Sequence, residues 1–558
     1  MKELRKLYSN KTVPAPWMLG IMHGSWRPHQ YEAIQDLENI FSQKRIAILE
    51  APTGTGKTAI ATALARNGKF SQTTVVVQNL GLLEQYRDYG FAILKGKQAY
   101  ECIDPKRIAE WKAKTGEMPT AADCPYSEMF QCPYGKKCPY VVARDRAISS
   151  PLMACTYKYA ALSEKVQSRK GLFVMDEIHN AVSELLSIGS FSLTDTVRRE
   201  NKLPNFPHPD YGNGEGDLVN DDSLQEIMEW ILESRTRLGV VNLFEEISPA
   251  GVEKKKLLES FDSLIELLSV CRGEVFYKCS KPKYALRYGR PREYVAEFKT
   301  ISPSYLYHKM TKNKDKVLMM SATIGSPSAL IAGEMKINKN DYSYVKFQHP
   351  VPADRRPIYD ISKFAMSHSA LVKRPYLYDE QAKIIAQWIK EYTHPSWRGI
   401  VLTTSYKKID KLREGLEKYL GKEMIYQSST VSLQDRINEF INDDTPGIVH
   451  VDTIQGWGTG VDLHGDIARY CVVAGVPFKN PSDAFERIRM NTSAGKAYSI
   501  AYAFNAVVQA TGRVTRGEKI DGKYMINKSA LADKMATSPY ALKHYSEWYK
   551  DAIVRGES

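Results

Sequence analysis

No apolar run in this chain reaches the roughly 18 residues that a membrane-spanning helix needs. Residues 1–10 are charged and hold no apolar stretch of the kind that opens a secretory signal. Tandem repeats and low-complexity tracts are missing too. None of the eight cysteines forms a tight C-x₂₋₄-C pair, the usual mark of a structural zinc site. Acid is in deficit: 64 Asp and Glu face 77 Lys and Arg, giving a net charge of +13 and a pI near 9.0. With no export signal, the expectation is a reducing cytosol, where cysteines serve as thiols or metal ligands rather than disulfides. The basic balance suits a polyanionic partner. Apolar residues at 43% and charged residues at 25% are ordinary globular usage and exclude a disordered or collagen-like chain. A length of 558 residues implies several compact units.

What is present is a rhythm of short buried strands. Ile46-Ala47-Ile48-Leu49, Val75-Val76-Val77, Leu152-Met153-Ala154, Leu172-Phe173-Val174-Met175 and Val317-Leu318-Met319-Met320 form one set. Ile400-Val401-Leu402, Ile448-Val449-His450-Val451 and Cys471-Val472-Val473-Ala474 form another. Helical-period segments separate many of them, which predicts α/β domains built on parallel sheets covered on both faces. The sets meet near 345–360, where His349-Pro350-Val351-Pro352 marks a linker. Two stretches interrupt the first set. Residues 95–145 lack the rhythm and hold half of the cysteines, while 200–300 read as mainly helical, with Leu257, Phe261, Leu264 and Leu268 on one face. Charge divides this second insert: 201–270 carries a net of −8 and 271–316 a net of +8.

Glu50-Ala51-Pro52-Thr53-Gly54-Thr55-Gly56-Lys57-Thr58 lies between a strand and a helix-prone run, the setting of a phosphate loop. Its amides would close around phosphate oxygens, Lys57 would reach the β/γ-phosphates, and Thr58 would bind Mg²⁺. Asp176-Glu177-Ile178-His179 ends a strand, where a second carboxylate must stand to face that loop. Asp176 would hold Mg²⁺, and Glu177 would deprotonate the attacking water. Gln509, Arg513 and Arg516 stand at i, i+4 and i+7 of a helix, and the two arginines would present positive charge to the transferring phosphoryl group from the second domain.

The ordered set resembles superfamily-two helicases, and most closely the iron–sulfur XPD/DinG family. Arg27-Pro28-His29-Gln30 is similar to the adenine-contacting motif, residues 51–58 and 176–179 to the first and second motifs, and Ser321-Ala322-Thr323 to the third. Thr404-Ser405-Tyr406 resembles the fourth, Gly456-Trp457-Gly458-Thr459-Gly460-Val461-Asp462-Leu463 the fifth, and residues 509–516 the sixth. The resemblance implies two RecA-like motor domains that close on ATP and Mg²⁺, with Arg27, Gln30, Ala51, Pro52, Thr53, Gly54, Thr55, Gly56, Lys57, Thr58, Asp176, Gly460 and Asp462 at the nucleotide. Ser321 and Thr323 either relay between the nucleotide and the strand or cap their own strand. The sequence departs from the family at Ile178, where Ala is common, at Gln78-Asn79 in place of a threonine-rich motif, and at Thr459, where DinG has Glu. With 26 residues before Arg27, the exonuclease domain that some DinG-like proteins carry is not expected here.

Cys102, Cys124, Cys132 and Cys138 fall within 37 residues, with gaps of 21, 7 and 5. Four thiolates can hold zinc or an iron–sulfur cluster; the resemblance favours a 4Fe–4S cluster stapling a wedge at the point of strand separation. Cys155 and Cys471 read as core residues. From 271 to 316, bases alternate with rings (Phe276, Tyr277, Lys278, Lys281, Lys283, Tyr284, Arg287, Tyr288, Arg290, Arg292, Tyr294), which suits either a single-strand path or a solvated face over core tyrosines. Lys95, Lys97, Tyr100 and Arg144 are further candidates for strand contact.

The expected division is a discontinuous first motor domain (1–94, 146–199, 301–350), a cluster domain (95–145), an arch-like domain (200–300) and a second motor domain (351–558). The implied activity is that of an ATP-dependent helicase tracking 5′-to-3′ on single-stranded or forked DNA. It is expected to act as a monomer without membrane partners, in the cytoplasm at the nucleoid, or in the nucleus of a eukaryote. The alternatives are an RNA or RNA–DNA hybrid helicase and a non-motor iron–sulfur DNA-binding sensor.

Overall fold

The computed structural model describes residues 13–27, 29–52, 54–124, 132–239, 249–281, 293–325, 328–421, 424–426, 431–457, 463, 467–515, 519–520 and 523–555. The first strands, β1 (Ile46–Glu50), β2 (Thr73–Val77), β3 (Ala92–Leu94), β4 (Leu152–Thr156) and β5 (Leu172–Asp176), pair with two late ones. Between them the chain makes β6 (Ser190–Thr194), β7 (Asp217–Leu218), β8 (Val275–Ser280) and β9 (Val295–Thr300), then returns through β10 (Lys316–Ser321) and β11 (Tyr342–Lys346). The resulting seven-stranded sheet runs β11-β1-β10-β5-β2-β4-β3, every pair parallel.

Side chains alternate along these strands with period two. Ile46, Ile48, Phe173, Met175, Val317 and Met319 enter one core; Ala47, Leu49, Leu172, Val174, Leu318 and Met320 enter the other. The expected two-sided parallel sheet is therefore present. The helices Gln30–Gln43, Lys57–Arg66 and Leu80–Asp88 cover one face, and Tyr157–Leu162, Ile178–Ile188 and Ser304–Thr311 the other.

A second sheet uses β12 (Ile358–Asp360), β13 (Gly399–Thr403), β14 (Met424–Tyr426), β15 (Val449–Thr453) and β16 (Tyr470–Val473). A short hairpin, β17 (Lys519–Ile520) with β18 (Lys523–Tyr524), precedes β19 (Lys528–Leu531) and β20 (Ile553–Arg555). The order is β14-β15-β13-β16-β19-β12-β20, again all parallel. The chain passes from one sheet to the other between β11 and β12. The Ser493–Gly512 helix belongs to both lobes: Tyr498 and Ala501 enter the first lobe's core, and Phe504, Val507 and Val508 enter the second's.

The insert after residue 189 holds the expected helices and, beyond that expectation, a sheet. Its helices Asp221–Leu238 and Pro249–Val270 pack on a four-stranded antiparallel sheet, β6-β9-β8-β7. The basic, ring-rich sequence hides two of these strands. Phe276 and Tyr277 are buried, with Tyr277 stacked on Phe298 at 4.4 Å, so these two rings are core rather than stacking platforms. Lys283, Tyr284, Arg287, Tyr288, Arg290 and Arg292 lie outside the described residues. This insert touches the other one through Lys256 Nζ and Asp123 Oδ1 at 3.2 Å, and the second lobe through Arg487 and Glu215 at 2.6 Å.

Candidate nucleotide site and cysteine cluster

The site starts where β1 ends. Gly54 and Gly56 take φ of +83° and +79°, a left-handed region that other residues enter at a cost, so the loop can turn only with glycine there. A Cβ on Gly56 would also strike Gln30 Nε2. The loop leads into the Lys57–Arg66 helix, whose free amides and dipole favour an anion. Lys57 Nζ donates to the Ala51 carbonyl at 3.2 Å, and Thr55 Oγ1 to the Pro52 carbonyl at 2.7 Å. Arg27 and Gln30 brace the loop from outside: Arg27 Nη1 donates to the Gly54 carbonyl at 3.0 Å and Gln30 Nε2 to the Thr55 carbonyl at 2.8 Å. Thr53 lies outside the described residues, as do Pro28, Gly460, Asp462 and Arg516.

Asp176 closes β5, two strands from β1 with β10 between them. Its carboxylate is fully buried beside that of Glu177. Burial and the Glu177 charge push the Asp176 carboxyl up, against the pull of Lys57. For Glu177, burial is outweighed by Lys57, His179 and Arg513, which hold its carboxyl well below the usual range. Glu177 takes φ and ψ of 50°, uncommon for a residue with a side chain.

A chain of polar contacts then crosses the molecule. Ser321 Oγ donates to Glu177 Oε2 at 3.3 Å and lies 2.7 Å from His179 Nδ1. The Thr323 amide donates to Ser321 Oγ at 3.2 Å, and Gln509 Nε2, from the second lobe, donates to Thr323 Oγ1 at 2.7 Å. Arg513 ends the same helix and is buried. The structure thus brings Lys57, Asp176, Glu177, Gln509 and Arg513 into one interlobe cleft. Behind them is a cavity of about 50 Å³ lined in part by His179, Asn180, Gln455, Asn505 and Gln509.

The sequence reading missed the partners around these groups. Tyr86 and Tyr157 both hydrogen-bond Asp176. Glu50 accepts from Tyr344 and from Ser546 of the second lobe. Gln78, in place of the threonine-rich motif, accepts from Asn180 at 2.8 Å and donates to Glu184 at 3.1 Å. An aromatic on an amphipathic helix reads as core, so nothing in the sequence singled Tyr86 out.

Cys102, Cys124, Cys132 and Cys138 are half-buried, whereas Cys155, Cys271, Cys279 and Cys471 are buried in strands or packed cores. Burial raises the Cys102 thiol, and Cys132 lies close enough to add to the effect. Among the described residues, no three Cys, His, Asp or Glu side chains gather as a metal-binding group. From 95 to 145 the buried apolar side chains among the described residues are Trp111, Pro119 and Ala121. So small a core does not stabilise a 51-residue segment. The four thiols are the donors that a stapling group would need, and among the described residues they are not gathered into a site.

Two family comparisons match the chain. Residues 23–202 match the family described as type III restriction enzyme, res subunit, and residues 389–543 match the helicase C-terminal domain. No curated protein sequence matches. Among solved structures, an XPD helicase is similar over 94% of this chain and 99% of its own, at 14% identity and a TM-score of 0.57. Xpd4 from S. tokodaii is similar over 95% of this chain and 100% of its own, at 14% identity and a TM-score of 0.55. An apo XPD structure covers the same shares at 15% and 0.54. At such identities the likeness is one of fold, and the two parallel-sheet lobes fit RecA-like motor domains. In fold the chain is similar to XPD helicases, and its second lobe carries the match to a helicase C-terminal domain.

Proposed function

We propose that this protein is an ATP-dependent DNA helicase that moves 5′-to-3′ along a single strand and parts duplex at an iron–sulfur-stapled wedge. The observation that carries the proposal is the interlobe assembly of Lys57, Asp176, Glu177, Gln509 and Arg513. Hydrolysis needs charge compensation on the leaving phosphate and a base for the water. Lys57 and Arg513, from opposite lobes, supply the first; Glu177 supplies the second, kept ionised by the cations around it. Asp176 and Thr58 would hold Mg²⁺, whose charge would draw the Asp176 carboxyl back down. Arg27 and Gln30 hold the loop in shape beside the base. Gly460, Asp462 and Arg516 are assigned to the nucleotide by resemblance alone. The Glu177–Ser321–Thr323–Gln509 chain gives the lobes a shared response to the nucleotide, which favours the relay role of Ser321 and Thr323.

Cys102, Cys124, Cys132 and Cys138 would hold the 4Fe–4S cluster, which supplies a cross-link in place of a core. Strand contacts are assigned to Lys97, Tyr100 and Arg144 beside the cysteines, and to Lys278, Lys281 and Tyr294 in the insert. Lys97 and Arg144 lie over the Tyr140 ring at 5.9 and 5.8 Å, a cation–ring surface that suits unpaired bases. Strand displacement on forked DNA, forked RNA and hybrid forks tests the reading. Expected is unwinding of DNA with a 5′ tail, lost in Lys57→Ala; unwinding confined to RNA or hybrid, or none at all, contradicts it.

A further inference from the structure

Two phenols from outside the motifs fix Asp176. Tyr157 donates to the Asp176 main-chain carbonyl at 2.9 Å. Tyr86, on the Leu80–Asp88 helix, donates to carboxylate Oδ2 at 2.8 Å. Oδ1 accepts from the Glu177 amide at 2.9 Å, so both carboxylate oxygens are oriented. Tyr86 is fully buried and packs edge-on against Phe91 at 5.4 Å, which fixes the ring and hence the hydroxyl. Leu or Phe would fill that space equally well. The hydroxyl has one use in this setting, and that is its contact to the Asp176 carboxylate.

We propose that Tyr86 is a positioning residue for the divalent cation that accompanies the nucleotide. It rests on the reading above, in which Asp176 and Thr58 face that cation. A carboxylate oxygen has two lone-pair sites. With one of them on Oδ2 taken by the phenol, the carboxylate cannot rotate, and the second stays aimed at the cation or its water. The neutral phenol does not itself need to ligate. Residues that orient metal ligands in this way typically account for about 10- to 100-fold in metal affinity.

The test is Mn²⁺ binding to the full chain with a non-hydrolysable ATP analogue, read by electron paramagnetic resonance, alongside analogue affinity in EDTA. Tyr86→Phe keeps the ring and is expected to weaken Mn²⁺ by about 10- to 100-fold, with metal-free analogue affinity within about twofold. Tyr157→Phe, which loses only the main-chain contact, should leave Mn²⁺ binding near wild type. Equal Mn²⁺ affinity in Tyr86→Phe and wild type overturns the proposal, as does a parallel loss of metal-free analogue binding. Thr58→Ala separates the two levels. If it binds Mn²⁺ normally, the ligand assignment falls; if it weakens Mn²⁺ while Tyr86→Phe does not, only the Tyr86 role falls.

Discussion

Glu177 has a strained backbone and a half-buried carboxylate that feels Lys57 and Arg513 and hydrogen-bonds His179. Such strain costs on the order of 1–3 kcal/mol and persists only where the surroundings impose it. A Gln at this position keeps the shape and removes the base. Glu177→Gln should therefore retain ATP while turnover falls by about 10² to 10⁴; single-turnover hydrolysis with radiolabelled ATP checks this, and an unchanged rate removes Glu177 as the base. The phosphate loop and the acidic pair were legible in the sequence because their chemistry fixes both residue type and spacing. Their supports were not. Tyr86, Tyr157 and Gln78 meet Asp176 and Asn180 only through the sheet, at sequence separations that carry no pattern.

Eight strands were legible as short apolar runs, since a parallel strand buried on both faces leaves little room for polar residues. Six strands of the two parallel sheets were not. β3, β11, β14 and β20 are terminal strands with mixed faces, and β12 has only three residues. β19 is central, yet its Lys528 and Ser529 disguise it. In the insert, a sheet was masked because its two long strands alternate rings with lysines and so read as a surface. The linker holds a group whose titration is measurable. Burial, with Arg356, pushes His349 down to about 3, so the folded state keeps the ring neutral. Unfolded, His349 takes up a proton as pH falls through about 6.5, so its stabilising contribution is complete above that value and is lost below it. At pH 5.5 the loss is about 1.4 kcal/mol. His349→Gln should flatten the fall of Tm between pH 7.5 and 5.5 in scanning fluorimetry; an identical fall contradicts this. In the cysteine insert, Cys124→Ser should lose the iron and the absorbance near ~400 nm. Elemental analysis that finds zinc and no iron in the wild type contradicts the cluster.

At the scale of the molecule, the two seven-stranded sheets share one helix. Ser493–Gly512 enters both cores and carries Gln509 and Arg513 to the first lobe's carboxylates. Arg489, just before it, is buried against Glu334 at 2.7 Å and donates to the Ile301 carbonyl at 3.1 Å. Cleft geometry therefore passes directly into the position of the second lobe and of the insert that touches it. The order of motifs made this architecture legible, while the shared helix and the Arg489 anchor became visible only in three dimensions. A positively charged chain of this kind should lose single-strand DNA affinity linearly in log–log with salt. A flat response in fluorescence anisotropy contradicts phosphate-led binding.

The central claim is that nucleotide is hydrolysed only when the second lobe brings Arg513 to the site built by Lys57 and Glu177. Steady-state ATP turnover by Arg513→Ala, with and without single-stranded DNA, tests it most directly. The account predicts that DNA stimulates the wild type, that Arg513→Ala loses turnover by about 10² or more, and that it still binds the ATP analogue. Wild-type turnover and DNA stimulation in Arg513→Ala would contradict it.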